Sequence, residues 1–376
     1  MVKLCIPTVG DEEIRAVSEV LHSGWLAHGE YNKKFEAHFA EFIGVEHAIT
    51  CNSCTSALFL ALVAQDITGE VIVPSFSFVA TANAVVTAGA TPVFVDIEPE
   101  TCNMDPIRLK EAITAGTQAV IPVHYAGQCC QMDAIVEIAA EHGLCVIEDS
   151  AETLGGTYDG RQAGSFGIGC FSFFPTKNIT TGEGGMLTTN DGVLAKRLRA
   201  LIGHGIDSST FEREKSQMPW FRSASLAGYN FRMSNILAAM GYEQMKKLHI
   251  MNAQRQELAA KLIGGLRDVV EVELPVVADK CEHVFQMFTV KLRKELDRED
   301  FVRSLNRKGI GASVHFYPPI HEQQYYREMA DSIRFPMPVT EDIARRIVTL
   351  PIYPGMRPED VNEIVEGVKY VILKLK

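Results

Sequence analysis

The chain has 376 residues, 47% of them hydrophobic, which is enough apolar side chain for two packed cores and more than one core comfortably uses. Its formal net charge of -11, with no Lys/Arg block, argues against a nucleic-acid partner, and no apolar stretch reaches the ~20 residues of a membrane span. The opening MVKLCIPTVGDEEI has no long apolar core or small-residue cleavage site, so the reading is a cytoplasmic protein that handles small molecules.

Helical apolar spacing covers 11–23 and 30–43, the second stretch carrying Phe35, Phe39 and Phe42. Small polar residues then precede an apolar helix in CNSCTSALFLAL, 51–62. Strand-like and helical runs alternate after that: strands at 71–75, 92–97, 119–125 and 144–150, helices around 79–88, 106–114 and 132–142. Strands joined by helical crossovers predict a largely parallel sheet covered on both faces, with ligands beyond the carboxyl ends of its strands. A long helical stretch from 235 to about 263 leads into a second α/β unit, with strands at 283–292 and 310–316 and helices near 297–308, 339–347 and 358–375. The expected division is a large domain over 1–249 and a smaller one over 250–376. Nine cysteines without framework spacing suit reduced thiols. Cys51 and Cys54 form a C-x-x-C that nothing nearby completes to four ligands, so no metal is expected.

The chemistry concentrates at FSFFPTKNITTGEGG, 171–185. Pro175 ends ladder pairing after a buried β-prone run, which places Lys177 at a sheet rim facing a cleft. A partly desolvated amine gives up its proton more readily, as a Schiff-base nucleophile requires; the plain alternative is a surface lysine. Asp149 ends a run that reads as a central strand. A carboxylate there needs a partner, either a protonated ring nitrogen or a structural cap or ion pair. In the first turn of the 51–62 helix, Cys54, Thr55 and Ser56 offer free N–H groups and hydroxyls to a phosphate, or form an ordinary capped start. Ser172 could add a further hydroxyl. Phe76 or Phe78 could lie on an aromatic ring or belong to the core.

Eight ordered segments now carry a resemblance: 23–29, 52–58, 73–85, 92–101, 146–158, 171–185, 228–241 and 350–356. Over essentially its whole length the chain resembles the DegT/DnrJ/StrS-type sugar aminotransferases, a branch of the fold type I aspartate aminotransferase superfamily. The resemblance implies an α/β architecture with a three-layer large domain, a mostly parallel sheet and a smaller C-terminal α/β domain. It implies pyridoxal 5'-phosphate as cofactor, passing through pyridoxamine 5'-phosphate, with Lys177 as Schiff-base lysine and Asp149 beneath the pyridine nitrogen. Phe78 would stack on the ring, and Ser172, Thr55 and the backbone of Cys54 to Ser56 would hold the phosphate. In a homodimer with shared active sites, Asn230 would reach the neighbouring subunit's phosphate. Trp25, His28, Glu183, Tyr317 and His321 would lie near the sugar or its nucleotide.

Two positions depart from the family pattern. Glu152 stands where Gln or His commonly meets the cofactor's phenolic oxygen, so a protonated carboxyl, a bridging water or a rotamer toward substrate is expected. Cys54 stands where glycine is common. The implied reaction moves an amino group from L-glutamate to a keto sugar, foremost a nucleotide-linked 4-keto-6-deoxy hexose aminated at C4, in amino-sugar synthesis for surface polysaccharides such as O-antigen. An unlinked keto or aldehyde sugar, or an octulosonate-type sugar acid, is the alternative. A non-catalytic cofactor- or sugar-sensing protein of the same fold is the other.

Overall fold

The computed structural model describes residues 1–206, 218 and 220–376. Helices α1 (Asp11–Ser23) and α2 (Glu30–Ile43) end at Gly24 and Gly44, whose left-handed φ of 71° and 78° closes each last turn. The chain then alternates through β1 (His47–Cys51), α3 (Cys54–Ala64), β2 (Glu70–Pro74), α4 (Ala80–Thr87), β3 (Thr91–Val95), α5 (Pro106–Ala112), β4 (Thr117–Val120), α6 (Met132–His142) and β5 (Cys145–Asp149). The short β6 (Thr157–Tyr158) and β7 (Arg161–Gln162) form a flap with β11 (Cys281–Glu282), while β8 (Ile168–Ser172), β9 (Gly185–Thr189) and α7 (Gly192–Ile202) complete the large layer.

The main sheet runs β1-β9-β8-β5-β4-β2-β3. β2, β3, β4, β5 and β8 pair in parallel, and β9 alone runs against both its neighbours, β1 and β8. The loop carrying Lys177 is therefore a return between antiparallel strands, at the same sheet edge as the carboxyl ends of β1, β2, β5 and β8. Strand alternation decides what β8 shows to each side. Phe171 and Phe173 pack on Phe39 and Phe35 of α2, with ring centroids 4.9 and 5.2 Å apart. Cys170 and Ser172 are thereby turned to the opposite face, where Cys170 packs in the core of α3.

Beyond the sheet, α8 (Asn235–Leu266) runs unbroken through residue 250. β10 (Val272–Glu273), β12 (Phe288–Leu292) and β13 (Ile347–Leu350) form a three-stranded antiparallel sheet. Of the helices that follow, α9 (Arg298–Arg307), α10 (Gln324–Arg327), α11 (Pro338–Arg346) and α12 (Pro358–Leu375), α10 packs Tyr326 on Phe94 of the main sheet and the other three lie on the small one. Its apolar cluster joins Leu258, Leu262 and Leu266 of α8 to Phe288, Phe301, Ile364 and Val368, and takes in Val2 from the chain's start.

Three expected elements differ. The 283–292 strand is ordered only from Phe288, because Val284 and Met287 bond to the backbone of Gly127 and Ala126 instead of a ladder. The 310–316 strand is reduced to bridges of Ile310 with Val2 and Ser313 with Thr349. The 119–125 strand stops at Val120, beyond which Val123 keeps only an isolated parallel bridge with Asp149, through bonds from the Asp149 N–H to the Pro122 carbonyl and from the His124 N–H to the Asp149 carbonyl.

Candidate active site

A cavity of about 420 Å³ opens at the carboxyl edge of the main sheet. Its wall brings together Cys54, Thr55, Phe78, Asp149, Glu152, Ser172, Lys177 and Glu183, which are separated by up to 129 positions in the sequence. Lys177 is the sole lysine or arginine among the described residues lining it.

β5 ends in two adjacent buried carboxylates with opposite fates. Glu148 accepts from the backbone N–H groups of Gly164, Phe166 and Gly167 at 2.7–2.8 Å and lies 3.1 Å from His124 Nε2, so its lone pairs are filled by the fold. Asp149, on the other face, accepts from the Thr81 hydroxyl at 2.8 Å and from the Ala151 N–H at 3.2 Å, with the Cys54 thiol 4.0 Å away. Burial raises its pKa above the ordinary Asp value, Glu152 raises it further, and the hydrogen bonds together with the more distant Lys177 only partly offset this. The site holds a desolvated acid whose immediate hydrogen-bond donors are neutral.

Ser53 begins α3: its Oγ accepts from the Ser56 N–H at 3.1 Å. The N–H groups of Cys54 and Thr55 precede any i−4 carbonyl of the helix and carry its positive dipole end toward an anion. Gly185 of β9 lies so close that a Cβ there would sit 2.4–2.7 Å from the Ser53 and Cys54 backbone. A glycine is what lets strand and helix terminus meet.

Lys177 Nζ donates to Glu152 Oε1 at 3.3 Å, and its side chain is 17% exposed. Glu152 Oε2 accepts from the Ala126 N–H at 2.9 Å, an amide presented by a residue at φ 56°. The Glu152 rotamer is thus turned to the lysine.

The remaining expected residues are placed elsewhere. Ser56 is in the first turn of α3 but its hydroxyl accepts from Ser53 at 3.0 Å. Asn230 is exposed and accepts from Arg232. The Trp25 indole donates to the His28 carbonyl, and the His28 ring lies 3.8 Å from Glu36. Tyr317 carries Arg298 over its ring, and His321 Nδ1 is 2.6 Å from Ser75 Oγ, with Glu341 3.7 Å from its Nε2. None of these six lines the cavity. Cys51 donates to the Ser53 carbonyl and burial pushes its thiol up to about 12, which makes the C-x-x-C a poor redox pair.

Sequence reasoning did not single out Thr81 or Gln286, both on the cavity wall; His315, of the histidine-bearing run 315–321 that also holds His321, lines it too. Thr81 had a signal, a hydroxyl in the first turn of a helix entered from a strand's carboxyl end. Gln286 and His315 come from the 283–292 and 310–316 segments, expected as strands, which run irregularly at these two residues.

The model of the DegT/DnrJ/EryC1/StrS aminotransferase family matches residues 7–369. The spore coat polysaccharide biosynthesis protein SpsC of Bacillus subtilis is 39% identical over 374 residues, covering 98% of this chain and 96% of the relative. Among solved structures, S. venezuelae DesV in complex with a ketimine intermediate is 34% identical with a TM-score of 0.88, covering 96% of this chain and 94% of that one. Helicobacter pylori PseC, an aminotransferase involved in the biosynthesis of pseudoaminic acid, is 30% identical with a TM-score of 0.92, covering 99% of each chain. No helix among the described residues is long and apolar enough to cross a membrane. Sequence, fold and cavity thus agree that the chain belongs to the DegT/DnrJ/EryC1/StrS aminotransferase family, the transaminases of this fold that act on sugars with pyridoxal 5'-phosphate.

Proposed function

We propose that the protein transfers an amino group from L-glutamate to a nucleotide-linked 4-keto-6-deoxy hexose in the synthesis of a surface polysaccharide, with Lys177 and Asp149 as its catalytic residues. The observation that carries this reading is the convergence on one cavity of an amine, a desolvated carboxylate and a free helix N-terminus. Those groups fit the three ends of pyridoxal 5'-phosphate: a carbonyl for Lys177, a cationic ring N–H for Asp149 and a phosphate for α3.

When bound, the cofactor supplies a cationic ring that withdraws electrons from the carbon losing its proton. Asp149 keeps the ring nitrogen protonated, replacing an isolated buried charge by a pair. Lys177 would hold the cofactor's carbonyl carbon covalently and, as a free amine, would move the proton at the donor's Cα. Thr55, Ser172 and the backbone of Cys54 to Ser56 bind phosphate, and Phe78 covers the ring. Glu152 holds Lys177 from the side, through the 3.3 Å contact, and faces the substrate once Lys177 moves. Glu183, on the cavity wall, is the nearest of the expected sugar contacts. Trp25, His28, Tyr317, His321 and Asn230 lie outside this copy's cavity, which suits a homodimer in which Asn230 serves the neighbouring site. The cluster around β12 and β13 forms the core of a smaller C-terminal domain, joined to the large one by α8.

Purified protein supplied with cofactor should absorb in the visible, bleach with borohydride and carry the reduced adduct on Lys177. Lys177→Ala should lose the adduct and turnover together; turnover retained in that variant overturns the assignment. Nucleotide-linked 4-keto-6-deoxy hexoses should discharge the pyridoxamine-loaded enzyme faster than unlinked keto sugars, and the reverse order transfers the proposal to the unlinked class.

A further inference from the structure

Buried polar atoms without a hydrogen-bond partner gather around Lys177. Nine such side-chain atoms occur among the described residues, and four of them, Arg255 Nε and Nη1, Asn178 Oδ1 and Gln286 Oε1, belong to residues that hold the lysine's loop. Gln286 Nε2 donates to the Thr176 carbonyl at 2.8 Å. Arg255 Nη2 reaches the Lys177 carbonyl at a long 3.5 Å. Asn178 Nδ2 donates to Asn252 Oδ1 at 2.8 Å, and Asn252 Nδ2 in turn donates to the Leu154 carbonyl at 3.0 Å.

Arg255 is the unusual member. It projects from α8 and is 2% exposed, yet no carboxylate among the described residues pairs with it. A guanidinium is retained in such a place only when something accepts its N–H groups. Desolvation lowers its pKa to about 10, consistent with a cation whose protein partners do not suffice. A second, small cavity of about 10 Å³ lies between Arg255, Asn178 and Lys177, with Thr8, Thr180 and Gln244 also on its wall. That volume suits a single water molecule. The orphans around it are complementary: Arg255 brings donors and Asn178 an acceptor. A water can accept from the first and donate to the second, whereas an anion would be repelled by the Asn178 oxygen.

We propose that Arg255 is a positioning residue for the Schiff-base lysine, acting on the Lys177 carbonyl directly and on Asn178 through one internal water in this small cavity. The lysine is then held from behind, by α8, while Glu152 holds it from the cavity side. The guanidinium touches neither substrate nor cofactor, and its effect is on where the amine stands when it meets the cofactor's carbonyl. This rests on Lys177 being the residue that captures the cofactor.

The test uses full-length protein stripped of cofactor and then mixed with pyridoxal 5'-phosphate. The readouts are the rate of borohydride-trappable adduct at Lys177, by peptide mass spectrometry, and the induced circular dichroism of the bound chromophore. Arg255→Met should form the adduct at least tenfold more slowly and with altered induced dichroism, while Arg255→Lys recovers part of the rate. A wild-type rate and dichroism in Arg255→Met overturn the proposal, since a residue that only supports the fold would lower Tm and leave both unchanged. Should Arg255→Met not fold, a high-resolution crystal structure of the wild type decides: one ordered water bonded to both Arg255 and Asn178 supports the proposal, and a dry cavity overturns it. If wild-type protein traps no cofactor at Lys177, it is the functional assignment that fails.

Discussion

Replacing Asp149 by Asn should stabilise the cofactor-free protein while disabling the loaded one. The carboxylate is 5% exposed and its pKa is raised, chiefly by burial. An acid whose folded pKa exceeds its unfolded value keeps its proton longer when folded, so stability falls as pH rises through that window and stays reduced above it. Each unit of elevation corresponds to about 1.4 kcal/mol. With about 2.1 cal/mol/K of unfolding entropy per residue, that is roughly 2 °C in Tm for a chain of this length. Asparagine removes the charge without leaving an orphan, because the Thr81 hydroxyl, 2.8 Å from Ser77 Oγ, can turn to accept from the new amide. Calorimetry of cofactor-free wild type and Asp149→Asn from acid to neutral pH should show equal Tm below the ordinary Asp range and a higher Tm for the variant at pH 7. The loaded variant should lose activity by at least ~10²-fold, since a neutral amide cannot hold the ring nitrogen cationic. Equal or lower Tm for cofactor-free Asp149→Asn at pH 7 would refute the claim that this carboxylate waits for a cation.

Gly185→Ala forces a methyl into the Ser53–Cys54 backbone, which cannot swing away, so it should cost about 1–3 kcal/mol and weaken cofactor affinity at least tenfold; denaturant melts and cofactor titration check both. His283 is buried against Phe285, ring centroids 4.0 Å apart, and burial pushes its pKa down to about 3. Because the folded state refuses a proton that the unfolded state takes near pH 6.5, stability is present above that pH and falls by about 1.4 kcal/mol per unit as pH drops toward the folded value. His283→Gln should flatten this acid limb by one proton in urea melts at stepped pH; an unchanged slope would contradict the burial.

Periodicity and turn chemistry made the α/β alternation legible, and the apolar run before Pro175 put Lys177 at a strand's end, because these are local properties of neighbouring residues. The same local logic missed β1, β9 and α7. It also read a strand into 310–316, where the chain makes only isolated bridges, of Ile310 with Val2 and of Ser313 with Thr349. Whether a polar side chain becomes structural or chemical was beyond it. Glu148 and Asp149 are adjacent and both buried, and only the strand's alternation, with the loop at 164–167 closing on one face, filled the first and left the second open. The amine, the carboxylate and the helix start were each readable from their own neighbours. Their meeting around one cavity, and the arginine behind the lysine, depended on contacts between residues tens of positions apart, whose partners no local pattern encodes.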